Sequence, residues 1–295
     1  MPIALLLLLS IVAGALATIA FSRLAPSQGA TAGAAHALEM AVDRAARRRA
    51  WRSARVDPNV LTGLALTAAV LGTVACGLVI ALLAYLVRSS SALHAIDTSA
   101  ARWGDHNATH LSTWLLSLVT DLGDRPVVPA LAIVVAVIEL RRLRRRSIVP
   151  FLLVVTLGNQ VVTTVIKGLI ERARPGFNPV AATLGPSFPS GHSSTAASFY
   201  AAVALILSRG RGARERAMLA GASVGIAVAV AASRVLLDVH WLSDVVAGLS
   251  LGWAWFALCA IAFGGRLLRF AAPLDPVARP TSTQQHDGAS RTREV

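Results

Sequence analysis

Three short stretches of this chain carry side chains able to grip a highly charged anion and transfer part of it. The first, Lys167-Gly-Leu-Ile-Glu-Arg-Ala-Arg174-Pro175, sets two cations seven residues apart, about two turns if a helix persists that far. The second, Pro189-Ser190-Gly191-His192, stands just before an apolar run. Ser190 can cap a helix there, Gly191 lets the backbone approach a ligand, and free N–H groups at a helix mouth attract anions. The third is Ser233-Arg234-Val-Leu-Leu-Asp-Val-His240-Trp-Leu-Ser-Asp244. His240 and Asp244 are four apart, so the carboxylate can take a hydrogen bond from one ring nitrogen and leave the other free to attack.

Each stretch alone has a plain structural explanation: cations snorkelling to an interface, a capped helix start, a His–Asp pair joining two helices. Together they supply three cations (Lys167, Arg174 and Arg234), a helix-mouth N–H nest and a histidine backed by a carboxylate. A second histidine, His192, can protonate a leaving oxygen. That set matches the spread charge of a phosphoryl group in transfer. The chain has no CxxC, HExxH or Walker-type loop, and the chemistry calls for no metal and no cofactor. Cys76 and Cys259 sit in apolar runs and read as small hydrophobes.

The elements that must position these residues are membrane helices. Of 295 residues, 55% are apolar and only 15% charged, against about a quarter charged in soluble domains. The net charge of +13 falls in clusters between apolar runs, which argues for membrane topology and against a nucleic-acid partner. Runs near the roughly 20 residues of a span lie at 3–21, 60–87, 148–166, 192–207, 217–232 and 241–263, with a shorter one at 127–140. Between them, Leu93 to Thr120 suits interfacial helices with Trp103 and Trp114 at head-group depth.

The expected fold is all-α: a polytopic membrane bundle of six core helices, residues 59–265, plus one N-terminal transmembrane helix, residues 1–22, retained as a signal anchor. Residues 23–58 form a basic cytoplasmic segment, and 266–295 a disordered cytoplasmic tail. Arginine clusters at 44–55, 141–146, 209–216 and 266–269 then share one side, which the positive-inside rule makes cytoplasmic. The three chemical motifs fall on the opposite, extracytoplasmic face of the plasma membrane.

The order K-x6-R-P, P-S-G-H, S-R-x5-H-x3-D resembles the signature of the type 2 phosphatidic acid phosphatases, relatives of the vanadium haloperoxidases. Lys167, the only lysine of the chain, occupies the lysine position, and Asp244-Val-Val-Ala-Gly248 is also family-like. The resemblance spans roughly residues 60–263. It implies that His240 attacks phosphorus, Asp244 orients it and His192 protonates the leaving group, through a phosphohistidine. It assigns Lys167, Arg174, Ser190, Gly191 and Arg234 to the phosphate oxygens. Asp238 departs from the pattern, since many bacterial members have glycine there. Arg172 and Glu171 receive no role.

The implied activity is metal-independent hydrolysis of a lipid phosphate, with polyprenyl (undecaprenyl) diphosphate expected first, on what bacterial members of the family often do. Phosphatidate, phosphatidylglycerol phosphate and a decaprenyl sugar phosphate are the alternatives. A silent binder of anionic lipid is the rival from another class, although binding alone needs only the cations. The partners implied are a lipid phosphate and the bilayer, and the oligomeric state is left open.

Overall fold

The computed structural model describes residues 2–24, 58–143, 147–176 and 184–263. Every regular element among them is helical. A lipid environment favours this for long apolar runs, because a helix satisfies its backbone groups within one segment. The basic segment and the tail expected from sequence lie almost wholly outside the described residues.

Nine helices follow one another among the described residues: α1 Pro2–Leu24, α2 Pro58–Ser89, α3 Ser91–His106, α4 His110–Asp121, α5 Val127–Leu143, α6 Ile148–Ile170, α7 Gly191–Leu207, α8 Ala213–Leu236 and α9 Leu242–Ala262. Each expected span is present as a helix. Five of them, α1, α2, α6, α8 and α9, contain segments long and apolar enough to cross a membrane. α5 and α7 have 17 residues each, about 25 Å of helix against a hydrocarbon core of about 30 Å.

α7, α8 and α9 form the centre, and α9 meets α7 through two glycines one turn apart. A methyl group at Gly248 would stand 2.5 Å from the Ser190 carbonyl oxygen, and one at Gly252 2.3 Å from that of Ser194. Only hydrogen fits in such a groove, which lets two backbones approach without a hydrophobic driving force between them. α1 uses the same device on α8. A Cβ at Gly221 would fall 1.8 Å from the Thr18 hydroxyl, and Gly14 and Gly225 complete the seam. Side chains fill the space between α5, α6, α7 and α9, where Val128, Phe151, Val155, Phe199, Ile206 and Cys259 form the largest buried cluster.

Inside α6, residues Val154–Gly158 wind as one π turn. The indole N–H of Trp255, on α9, donates to the Val154 carbonyl at 3.1 Å and so satisfies an oxygen of that turn. Gly158 has no room for a side chain, since its Cβ would meet that indole at 2.3 Å.

The alternation of helices puts the end of α6, the start of α7, the end of α8 and the start of α9 at one end of the bundle. All three chemical motifs belong to those ends. Arg141, Arg142, Arg209, Arg211, Arg214 and Arg216 lie at the other end. There Arg209 pairs with the buried Glu139 and fastens α7 to α5.

Gly252→Ala should lower thermal stability in detergent by about 1–3 kcal/mol, the usual cost of overpacking a tight contact. Gly72→Ala, where nothing stands within 4 Å of the new methyl, should be neutral or gain up to about 1 kcal/mol of helix propensity. Equal melting shifts for the two variants would contradict the close α7–α9 seam.

Candidate active site

The first motif is not a continuous helix. α6 stops at Ile170 and Glu171 takes a left-handed backbone, φ 50°, with its N–H returning to the Lys167 carbonyl. The two-turn helical spacing expected for Lys167 and Arg174 is therefore not what brings them together. They converge because the chain turns back and both donate to the carbonyl of Pro186, Arg174 at 3.5 Å. Arg174 also donates to the Gly185 carbonyl at 2.9 Å and the Val239 carbonyl at 2.8 Å. A guanidinium held by several acceptors presents its remaining N–H groups in a fixed direction.

The second motif caps α7 as its residues predict. Ser190 is the N-cap, and its hydroxyl takes bonds from the N–H and the hydroxyl of Ser193. The Ser190 N–H is bound by the Asp244 carbonyl at 3.0 Å. Gly191 and His192 open the helix, so their amides have no intrahelical acceptor. Among the described residues the only neighbour within 4 Å of a Cβ at Gly191 is Thr163, at 3.8 Å.

The third motif forms a tight corner between α8 and α9. Val239 and His240 N–H both return to the Arg234 carbonyl, at 3.1 and 3.2 Å. Asp238 adopts φ 54°, a left-handed conformation that glycine takes without strain and aspartate tolerates better than most residues. Its carboxyl is buried. His240, 2% exposed, points Nδ1 at Asp244 Oδ2 across 3.5 Å, the outer limit of a hydrogen bond. Arg174 Nη1 stands 3.3 Å from His240 Nε2. With the ring proton on Nδ1, this network directs the Nε2 lone pair into the space shared with the Arg174 guanidinium. Arg234, also buried, donates to the Thr120 hydroxyl at 2.9 Å, and its Nε has no partner among the described residues.

The structure therefore gathers all eight residues singled out by sequence at one end of the bundle. It also recruits residues that the sequence reading passed over. Arg172 donates to Asp244 Oδ1 at 2.6 Å, to Asp97 Oδ2 at 2.7 Å and to the Ser243 hydroxyl at 2.7 Å, while lying 5.3 Å over the Trp241 ring. Asp97, on α3, is fully buried and also accepts from the N–H and hydroxyl of Ser243. Asp124, between α4 and α5, places a carboxylate oxygen 3.3 Å from His192 Nε2. The cue for Arg172 was its seat inside the first motif. Asp97 and Asp124 offered none beyond being carboxylates near interfacial helices.

Burial is the main cause that lowers the His240 pKa, to about 4. The Asp244 contact opposes the shift, and the Arg174 and Arg234 charges add to it. The ring is thus neutral, the form able to attack, across the range from mildly acidic to alkaline pH. Burial also lowers Arg174 from its ordinary value, against the pull of Asp244.

Comparison with known proteins gives a consistent family. Residues 148–267 match the PAP2 superfamily. The chain is 38% identical over 114 residues to phosphatidylglycerophosphatase B of Bacillus subtilis, covering 38% of this chain and 56% of that one. It is 36% identical over 132 residues to lipid A 1-phosphatase of Rhizobium johnstonii, covering 40% and 50%. The chain thus spans about half the length of the curated relatives it matches. The crystal structure of a transmembrane PAP2 type phosphatidylglycerolphosphate phosphatase from Bacillus subtilis superposes with a TM-score of 0.60 at 28% identity. That match covers 67% of this chain and 98% of the other.

The protonation state of His240 is open to direct test by 15N-histidine spectra in detergent, assigned by the signals lost in His240→Asn. The ring should stay neutral down to pH 5.5 and titrate near 4, well under the ~6.5 of free histidine. Arg174→Gln should move the midpoint upward, because a cation that disfavours the imidazolium is gone. A wild-type midpoint at or above that of free histidine would contradict the enclosed environment.

Proposed function

We propose that this chain, whose residues 148–267 match the PAP2 superfamily, hydrolyses the terminal phosphate of a membrane lipid at the extracytoplasmic face through a phosphohistidine. The observation that carries this reading is the convergence of a buried neutral histidine on a cluster of cations. His240 Nε2 lies 3.3 Å from Arg174, with Lys167, Arg234 and the Gly191 and His192 amides at the same end of the bundle. A binder needs the cations but has no use for an attacking nitrogen backed by a buried carboxylate.

In this reading, Nε2 of His240 attacks phosphorus as the bond to the lipid oxygen breaks, and His192 gives that oxygen its proton. Water then attacks phosphorus, the P–N bond breaks, His192 takes the proton, and inorganic phosphate leaves. Lys167, Arg174 and Arg234 with the helix-mouth amides hold the phosphate oxygens. Their charge is worth most as negative charge spreads in the transition state. Asp244 keeps the His240 proton on Nδ1 and favours the ring's brief positive charge. The cations that meet the substrate are side chains, so the mechanism asks for no divalent ion.

The relatives' names point to phosphatidylglycerol phosphate and to the 1-phosphate of lipid A as head groups. With polyprenyl diphosphate these share a terminal phosphate on an amphiphile, which is the substrate class proposed here. The orientation rests on Arg141, Arg142 and the Arg209 to Arg216 group standing at the end opposite the site, the side that basic loops favour being cytoplasmic.

Detergent-purified protein in EDTA should release phosphate from at least one of polyprenyl diphosphate, phosphatidate and phosphatidylglycerol phosphate. His240→Ala should lower that rate by about three orders of magnitude or more, as removal of a nucleophile does. Release that requires an added divalent ion, or that survives the substitution, would sink the mechanism.

The orientation is tested separately, in protein with Cys76 and Cys259 replaced by alanine. An impermeant thiol label on intact cells should react with Leu184→Cys, an exposed position at the site end, and not with Gly212→Cys at the other. The opposite pattern would place the site in the cytoplasm.

A further inference from the structure

Arg125 stands apart from the other cations of the site. It lies in the turn between α4 and α5, at the end of the bundle that carries the chemistry, and its side chain is exposed. Its backbone N–H donates to the Asp124 carboxylate at 2.9 Å, but its guanidinium makes no hydrogen bond or ion pair among the described residues. Arg172, Arg174 and Arg234 all have hydrogen-bond partners within the protein. Arg125 is nonetheless close to the cluster: the adjoining Asp124 carboxylate lies 3.3 Å from His192 Nε2, and Arg125 lines one cleft with Thr164, a turn of helix from Lys167.

Below Arg125 opens a cleft of about 480 Å³ between α5, α6 and α7. That volume falls within the range of small-ligand pockets. Its floor follows α6 inward from Lys167: Thr164 lies one turn below the lysine, then Gln160, then Leu157. Thr195, one turn inside α7, forms the facing wall and accepts from Gln160 Nε2 at 3.2 Å. Thr164, Gln160 and Thr195 put polar groups along α6 and α7, and Val128, Pro129 and Leu157 supply apolar wall between them. A mixed polar and apolar lining beside the cluster suits the head-group end of an amphiphile.

We propose that Arg125 and the polar upper wall of this cleft form a subsite for the second phosphate of a lipid diphosphate, the one joined to the tail. The inference rests on the phosphatase reading above. When His240 Nε2 attacks the terminal phosphorus, the bond from that phosphorus to the bridging oxygen breaks and His192 protonates the bridging oxygen. The departing lipid monophosphate then carries its phosphate beside His192, within the field of Arg125. A lipid monophosphate substrate leaves only a neutral hydroxyl in that position and gives Arg125 nothing to bind. The guanidinium therefore discriminates between the two by charge, and does so most strongly as the leaving phosphate gains negative charge.

The test compares polyprenyl diphosphate with phosphatidate in mixed micelles, using wild type, Arg125→Ala and Arg125→Lys. In Arg125→Ala the ratio of kcat/KM for diphosphate over monophosphate should fall about tenfold or more, as expected for loss of a charge-assisted hydrogen bond. Arg125→Lys should restore part of the ratio, since it keeps the charge without the planar fork. In wild type, a farnesyl methylenebisphosphonate should inhibit phosphatidate hydrolysis about tenfold more tightly than farnesyl phosphonate, with the gap lost in Arg125→Ala. This inhibition also reads the subsite in the unaltered protein if the variant fails to fold. Equal losses on both substrates would make Arg125 a general lipid attractor and overturn the subsite. So would wild type that hydrolyses phosphatidate but ignores diphosphates, which leaves the phosphatase reading standing. Folded wild type that hydrolyses neither sinks that reading and the subsite with it.

Discussion

A buried carboxylate in a membrane protein must be met on every side, and the end of the bundle that gathers the three motifs is organised around one. Asp244 is fully buried. One of its oxygens takes Arg172, and the other takes the Trp241 N–H at 3.0 Å while facing His240. Its own backbone carbonyl holds the Ser190 N–H. A single residue therefore ties together the loop after α6, the mouth of α7 and the corner before α9. Removing charges from water costs several kcal/mol each, and only good geometry with further hydrogen bonds repays it. Arg172 and Asp97 supply that compensation. A cation shared between two carboxylates leaves the trio with a single net negative charge, which the clustered arginines and lysine outside it then oppose.

The same demand explains what could and could not be read from the chain. The helices were legible because twenty apolar residues have few alternatives in lipid, and the eight residues of the three motifs were legible from their types and order. The route by which Lys167 and Arg174 meet was not. Seven residues suggested two turns of one helix, yet Glu171 breaks the helix and a loop does the work. Asp97 could not be found because it lies 75 residues before its partner Arg172, on a helix whose polar residues suit an interfacial position equally well. Asp124 is hidden for a similar reason, and its contact with His192 arises only from the way the α4–α5 turn folds over α7. The pairing of Glu139 with Arg209 likewise joins residues 70 apart that a linear reading assigns to separate loops.

Glycine decides how closely these parts can sit. Gly248 closes the Asp244-Val-Val-Ala-Gly248 stretch, and its physical role is to let α9 press against the Ser190 carbonyl. The N-terminal mouth of α7 and the carboxylate of α9 are therefore neighbours by backbone contact as well as by hydrogen bond. The N-terminal helix, outside the matched family segment, docks on α8 by the same kind of seam. It lies on the side of α8 that carries Gly221 and Gly225.

The π turn of α6 has a bearing on how such chains are compared with one another. One extra residue in a helix rotates everything beyond it by about 100°. Lys167 lies beyond Val154–Gly158, so its azimuth toward the cluster depends on that local underwinding, which Trp255 holds in place. A relative without the turn would need its lysine displaced by one position relative to the first half of the helix. In an alignment, a one-residue gap ahead of the lysine would then register a difference in winding, with the ammonium itself unmoved in space.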